Sequence, residues 1–428
     1  MKRIGGLLSR FSTRRRSRKR EYDIVFMLSK LSTGVGGSER SCIEIVQGLR
    51  DRGYDVSIAH CDHRHLPATI EIPDGIPVVN MAERAGIVSL QMDRSQAALT
   101  GIPLTMTNWI AARQRVIHSL REFVVSTRPR VVVPFTSAFV VTAVGAMEGL
   151  GYRPRVVAGL RNSFEWEFGE RADGPNLSHK WLLAPALGRC RAIQMLFPSY
   201  VRKLGALANH GPRLAGRTAW IPNAIRPNPH GAADLSSRKI ISVGRLEPVK
   251  GQANLIRAFR KVHDAHPGWT LDIYGEGSLR GELEALVSSE GLEESVKLPG
   301  YHTHFSRQWL DASINVQPST DEGFSRALTE AMGAGLPSVV FADCPGNNEL
   351  VADGANGLLA DPSDRVGELA AAILRLVENE ELRRALGAAA RATAEKGVYS
   401  ADSAFDRWAR LMDAVLTPGP IDLGGLKN

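Results

Sequence analysis

Long apolar runs are missing from this chain. The best membrane-like stretch, residues 131–147, lacks charges but is only 17 residues long, and it holds Pro134, Thr136, Ser137 and Thr142. About 20 residues are needed to span a bilayer, so the stretch reads as a strand followed by a buried helix. Cysteine is scarce. Cys42, Cys61, Cys190 and Cys344 are scattered with no short-spaced pair, which suits a reducing cytoplasm better than a disulfide framework. Acidic residues are absent from positions 1–20, where nine of the 53 basic residues lie. No apolar segment follows those charges, so no secretory signal is read there. Beyond the tail stand 44 basic and 45 acidic residues, so the net charge of +8 belongs to the tail. That balance argues against a nucleic-acid-binding fold. A closed metal motif is also missing: His60-Cys61-Asp62-His63-Arg64-His65 matches no zinc spacing, has no second half elsewhere, and reads as a polar loop.

What is present is an ordinary globular composition, 43% hydrophobic and 23% charged, enough for a substantial core. The 428 residues suggest two or three domains of roughly 150–200 residues each. Short apolar runs alternate with helical patterns, as a parallel α/β domain requires. Strands are expected at residues 22–28, 55–60, 78–80, 130–135, 155–159, 192–197 and 220–223. Residues 224–238 carry Pro227, Pro229 and Gly231 without apolar periodicity, which marks an interdomain linker. The rhythm then restarts with strands at 239–243, 269–274, 296–298, 314–317 and 337–341, a long interrupted helix over 364–398 and a last helix over 403–416. The chain thus divides into a basic tail (1–20), an α/β domain (21–224), a linker (225–238), a second α/β domain (239–400) and a C-terminal helix and tail (401–428) expected to pack back toward the first domain. The tail's cations suit an anionic membrane surface, at about 1 kcal/mol each near the bilayer.

Three loops carry chemistry. Residues 32–39 form a glycine-rich turn after the first strand, with Ser38 as the expected cap of the next helix; Gly36 and Gly37 permit close backbone approach to a ligand. Arg245 and Lys250 flank a turn after the first strand of the second domain. An arginine fork and a mobile ammonium ahead of a helix N-terminus suit a diphosphate. Glu322 follows the strand at 314–317, and Glu330 lies in the next helix, which Ser325 should cap and Gly335 and Pro337 should end. The amides of Gly323, Phe324 and Ser325 open that helix and can meet an anion. A carboxylate there can accept two hydrogen bonds from a vicinal diol. An isolated pair of glutamates at this spacing is usually just solvated. A cationic clamp at the same sheet edge turns the pair into a nucleoside-diphosphate site.

The combination Gly244-Arg245-Leu246-x3-Lys250-Gly251 with Glu322-Gly323-Phe324-x5-Glu330-Ala331-Met332-x2-Gly335-x-Pro337 resembles family 4 retaining glycosyltransferases of the GT-B fold, in which two Rossmann-like domains face each other across a cleft. Gly36-Gly37-Ser38-Glu39, Cys344-Pro345-Gly346-Asn347-Asn348-Glu349 and Asn356-Gly357-Leu358-Leu359 extend the resemblance over residues 21–415. It implies that Arg245 and Lys250 hold the donor diphosphate, that Glu330 binds ribose hydroxyls, and that Glu322 contacts the donor sugar. Phe324 and Ser325 would approach the donor, and Gly37 would face it across the cleft. No metal or other cofactor is implied; the donor is a nucleotide-diphosphate sugar. Many relatives carry Gly where Ser325 stands, and Gly-Val/Ile-Asp where this chain has Ala224-Ile225-Arg226. Together with Arg161 and Asn162, expected on the acceptor or sugar side, Ser325 is more similar to the branch that builds lipid-linked or surface polysaccharides. A hydroxyl acceptor of that kind, at the cytoplasmic membrane face, follows from the resemblance. A nucleotide-sugar epimerase on a similar fold and a catalytically inactive membrane-associated scaffold remain as alternatives.

Overall fold

A computed structural model describes residues 22–29, 31, 36–61, 70–84, 106–169, 177–207, 210–302 and 305–427. The basic tail, Gly34 and residues 62–65 of the histidine-rich stretch lie outside them.

The apolar runs form two all-parallel sheets. The first comprises β1 (Ile24–Leu28), β2 (Val56–His60), β3 (Val78–Asn80), β4 (Val131–Pro134), β5 (Arg155–Gly159), β6 (Ala192–Met195) and β7 (Thr218–Trp220), in the order β3-β2-β1-β4-β5-β6-β7. The second comprises β8 (Lys239–Val243), β9 (Thr270–Tyr274), β10 (Val296–Gly300), β11 (Ile314–Gln317), β12 (Ser338–Phe341) and β13 (Gly357–Ala360), in the order β10-β9-β8-β11-β12-β13. Every residue of β1, β4, β11 and β12 is buried. Helices cover both faces of such sheets, which is why the strands read as continuous apolar runs rather than alternating ones. In each sheet the chain first builds outward on one side and then crosses to the other. The order therefore reverses between β1 and β4, and between β8 and β11. In open α/β sheets the crevice at such a reversal, outside the carboxyl ends of the strands, is where ligands bind.

Residues 131–147 form β4 and the Ser137–Ala146 helix, a strand and a buried helix as the sequence indicates. No described helix is long and apolar enough to cross a membrane. The helix after the glycine turn differs from the expectation. It spans Gly37–Arg50 and is capped by Gly36 rather than Ser38. The Glu39 carboxylate, three residues into the helix, accepts the Gly36 amide at 2.9 Å, the glutamate half of a capping box that fixes the helix start at Gly36.

The C-terminal helix, Ala401–Leu416, lies against the first sheet. Trp408 is fully buried, with its ring 5.5 Å from Phe26 and 6.4 Å from Phe135. The Arg407 guanidinium donates to the Trp220 carbonyl at 2.8 and 3.0 Å. The two chain crossings between domains run side by side, with Ile225 N donating to Tyr399 O at 2.8 Å. Residues 225–238 contain no helix or strand, as their composition requires, yet they are strapped to the second domain. Asn228 N donates to Gly333 O and Ala233 N to Ala334 O, both at 2.9 Å. Arg384 and Arg391 hold the carbonyls of Asp234 and Gly231 at 2.7 and 2.8 Å.

Candidate functional site

The carboxyl edges of the two sheets face each other across a cleft of about 950 Å³. Gly36, Gly37 and Arg40 line it from the first domain. Gly244, Arg245, Lys250, Glu322, Phe324, Ser325 and Glu330 line it from the second.

Local chemistry brings the two key loops of the second domain together. After β8 the chain makes a short turn that ends at Gly251, with φ 70°. A Cβ at Gly251 would sit 2.2 Å from the Pro318 carbonyl oxygen, so only glycine allows both this left-handed conformation and the close approach. Two residues away on each loop, Thr320 N donates to Val249 O at 2.9 Å. The loops after β8 and β11 are thus zipped together, and Lys250 is delivered to Glu322. Nζ lies 2.5 Å from Oε1, and the side chains are 18% and 12% exposed. The same oxygen accepts Ser319 Oγ at 2.8 Å. An ammonium has three donors, and one is spent on Glu322. Arg245 is placed by its backbone: Gln252 Nε2 donates to Arg245 O at 2.9 Å. Its side chain is exposed at the cleft and makes no ion pair among the described residues.

The Arg326–Gly333 helix is capped by Ser325, whose hydroxyl accepts Leu328 N at 3.4 Å. It ends in a Schellman turn. Leu336 N donates to Ala331 O at 3.0 Å and Gly335 N to Met332 O at 2.9 Å, with Gly335 at φ 78°. Leu328, Ala331 and Met332 are buried, leaving Glu330 half-buried on the cleft side. Arg326 reaches both Glu330, at 3.4 Å, and Glu44 of the first domain, at 3.1 and 3.2 Å. Burial alone would lower the Arg326 pKa, but the two carboxylates outweigh it and the pKa is raised, so this guanidinium stays charged.

An aromatic wall closes the β9–β10 side of the cleft. Tyr274, Phe305 and Trp309 pack edge to face, with centroids 4.7 and 5.1 Å apart. Burial first, and then neighbouring Asp272, pushes the Tyr274 phenol up to about 12, so it remains a donor at neutral pH. Tyr301, 64% exposed, stands at the rim.

Not every sequence candidate reaches the cleft. Gly323, Arg161 and Asn162 are absent from its lining. Gly323 is a contact between domains: a Cβ there would lie 2.1 Å from the Arg161 carbonyl oxygen. The neighbouring Phe324 ring stacks on Phe197 of the first domain at 5.4 Å and 18°. Arg161 is 6% exposed, stacks 4.1 Å over Phe135 and donates to Asn223 Oδ1 at 2.8 Å. Desolvation lowers its pKa to about 9. Asn162 donates to Glu167 at 2.7 Å. These two residues hold the first domain together beneath the cleft rather than lining it. Sequence reasoning missed Arg326, Glu44, Ser319 and Gln252. Ser319 alone left a local trace, three positions before Glu322.

Comparison with known proteins places this geometry. Residues 229–393 match the family model of glycosyl transferases group 1. An exopolysaccharide phosphotransferase of Streptomyces coelicolor is 35% identical over 234 residues, covering 54% of this chain and 24% of that protein. The poly(ribitol-phosphate) alpha-N-acetylglucosaminyltransferase of Staphylococcus aureus is 30% identical over 180 residues, covering 42% and 36%. The chain therefore spans well under two thirds of the length of these curated relatives. Among solved structures, HepE of Anabaena in complex with UDP and glucose has a TM-score of 0.68 at 19% identity, over 92% of this chain and 99% of that one. The pneumococcal O-GlcNAc transferase GtfA in complex with UDP and GlcNAc has a TM-score of 0.71 at 16% identity, over 93% and 100%. At these identities the likeness is one of fold. The two facing parallel sheets are the GT-B architecture, as the sequence resemblance implied.

Proposed function

We propose that the chain is a retaining glycosyltransferase of family 4 type. It moves a hexose or N-acetylhexosamine from a nucleotide-diphosphate sugar to a hydroxyl of a lipid-linked or polysaccharide acceptor at the cytoplasmic membrane face. The observation that carries this reading is the convergence of Arg245, Lys250, Glu322 and Glu330 on one cleft at a sheet reversal. Similarity to proteins whose names specify sugar transfer to polymers supports the substrate class.

In this reading Arg245 and the two free donors of Lys250 hold the diphosphate. As the glycosidic bond breaks, charge builds on the leaving diphosphate. Cations already in place stabilise that charge without reorganisation, commonly the largest catalytic contribution. Glu330 takes the ribose hydroxyls. Glu322, oriented by Lys250 and Ser319, contacts the sugar near its reacting face. The acceptor hydroxyl attacks from the face the leaving group vacates, through an oxocarbenium-like state, and its proton passes to the departing phosphate oxygen, so configuration is retained. The charge on the diphosphate is carried by side chains and helix ends, and no metal enters the proposal. The aromatic wall meets the base.

The test is transfer from a panel of UDP-, GDP- and ADP-sugars to membrane extracts, with the product anomer read by NMR. The reading predicts one preferred donor and a product of the donor's own anomeric configuration. Inverted product overturns the mechanism. Free epimer without acceptor supports an epimerase instead.

A further inference from the structure

Arg326 is where the two domains and the donor site meet. Its fork grips both oxygens of Glu44, Nη1 to Oε2 at 3.2 Å and Nη2 to Oε1 at 3.1 Å, and Nη2 also reaches Glu330 Oε1 at 3.4 Å. The aliphatic stem passes directly over Gly37: a Cβ there would lie 3.1 Å from Arg326 Cδ and 3.4 Å from Cγ. Gly37 thus makes room for an arginine from the opposite domain.

Glu44 belongs to a stripe along the Gly37–Arg50 helix. Gly37, Arg40, Glu44 and Gly48 recur at three- and four-residue spacing, so they share one face. Arg40 Nη2 meets the Tyr301 hydroxyl at 3.4 Å. A Cβ at Gly48 would collide with the Phe405 ring at 2.4 Å. This face is where the first domain docks on the second and on the C-terminal helix. Arg326 is its charged centre, with a side chain only 22% exposed.

A strut between domains need not touch the ligand site, but Arg326 does. Glu330 is 38% exposed and makes no other ion pair among the described residues. A free glutamate samples several rotamers, and ordering it costs entropy at the moment of binding. Contact with Arg326 occupies one lone pair of Oε1 and leaves Oε2 for a diol.

We propose that Arg326 is a positioning residue for the donor nucleoside: by bridging Glu44 and Glu330, it makes closure of the two domains and orientation of Glu330 toward the ribose diol a single event. The proposal rests on the donor reading given above. It deepens that reading by assigning ribose recognition a dependence on a residue of the opposite domain.

The experiment uses the purified full chain. UDP, GDP and ADP are titrated first, and the tightest binder is compared with its 2′-deoxy form by calorimetry. Wild type is expected to prefer the ribose form by about tenfold or more, the worth of a hydrogen bond to a charged group. Arg326→Gln and Glu44→Gln are each expected to shrink that preference to about threefold or less. The double variant should lose no more than either single one, because both break the same bridge. Arg326→Lys, which keeps the charge but not the fork, should fall between. Should Arg326→Gln fail to fold, Glu44→Gln tests the same bridge from the other domain. A lowered melting temperature with the full ribose preference intact would make Arg326 a strut only and overturn the proposal. No preference in wild type would overturn the assignment of Glu330, and the proposal with it. No binding of any nucleoside diphosphate would overturn the donor reading itself.

Discussion

Replacing Lys250 with alanine should separate two roles of one side chain. The ammonium is 2.5 Å from Glu322, and both side chains are largely shielded from solvent. Its removal leaves a mostly buried carboxylate without its cation. Breaking one side of a buried pair costs about 3–5 kcal/mol. Here the loss should be about 2–3 kcal/mol, because Ser319 Oγ still donates to the same oxygen. For a domain of this size that is a fall in melting temperature of roughly 4–12 °C. Transfer should fall by about 10²–10³ in kcat, the cost of losing one key electrostatic donor. Adding Glu322→Gln to Lys250→Ala removes the uncompensated charge, so stability should recover to within about 1 kcal/mol of wild type while transfer stays lost. Calorimetric melting and a single-turnover transfer assay on the same preparations read the two effects separately. Near-wild-type turnover of folded Lys250→Ala would refute the reasoning, and so would recovery of transfer in the double variant.

Three other outcomes follow from the same geometry. Gly251→Ala meets both an unfavourable φ and the Pro318 carbonyl at 2.2 Å; it should separate the loops after β8 and β11, destabilise the fold by at least about 1–3 kcal/mol and lower transfer with it, checked by melting and kinetics. Trp408→Ala opens the Phe26–Phe135 cluster and should cost about 3–5 kcal/mol, read by denaturant unfolding. Deleting residues 1–20 should leave transfer to a soluble acceptor analogue unchanged and weaken sedimentation with anionic vesicles; loss of transfer in solution would contradict it.

Much of the architecture was legible because parallel strands buried on both faces write themselves as unbroken apolar runs. The caps at Ser325 and Gly335 were equally plain. Elements whose signals are short or uniform escaped. The Leu177–Leu187 helix has no one-sided apolar stripe and contains Pro185. Phe164–Phe168 and Gly211–Ala215 are five residues each, too short to show a period. Pro198–Gly205 begins at a proline that reads first as a strand stop. Strand β13 opens on glycine and lasts four residues. The shared cleft lining was legible where motif and chain position coincide, at Arg245, Lys250, Glu322 and Glu330. Arg326 was not, because its partner Glu44 lies 282 residues away and nothing local announces the pairing. Gly323 and Arg161, which meet between the domains outside the cleft lining, make the same point: sequence marks a glycine or an arginine as special without saying whether a ligand or the other domain stands opposite.

The central claim is that a nucleoside diphosphate binds the cleft through its cationic loop. Thermal stabilisation by UDP, GDP and ADP, in wild type and in Arg245→Ala, tests it most directly. Arg245 is exposed and makes no ion pair among the described residues, so its loss should leave the fold undisturbed. At about 100 times its dissociation constant, the bound nucleotide should add roughly 2.7 kcal/mol of stability. The account predicts that one of the three stabilises wild type and that Arg245→Ala melts normally but loses the response. Absence of stabilisation by all three, or a response undiminished in Arg245→Ala, would contradict it.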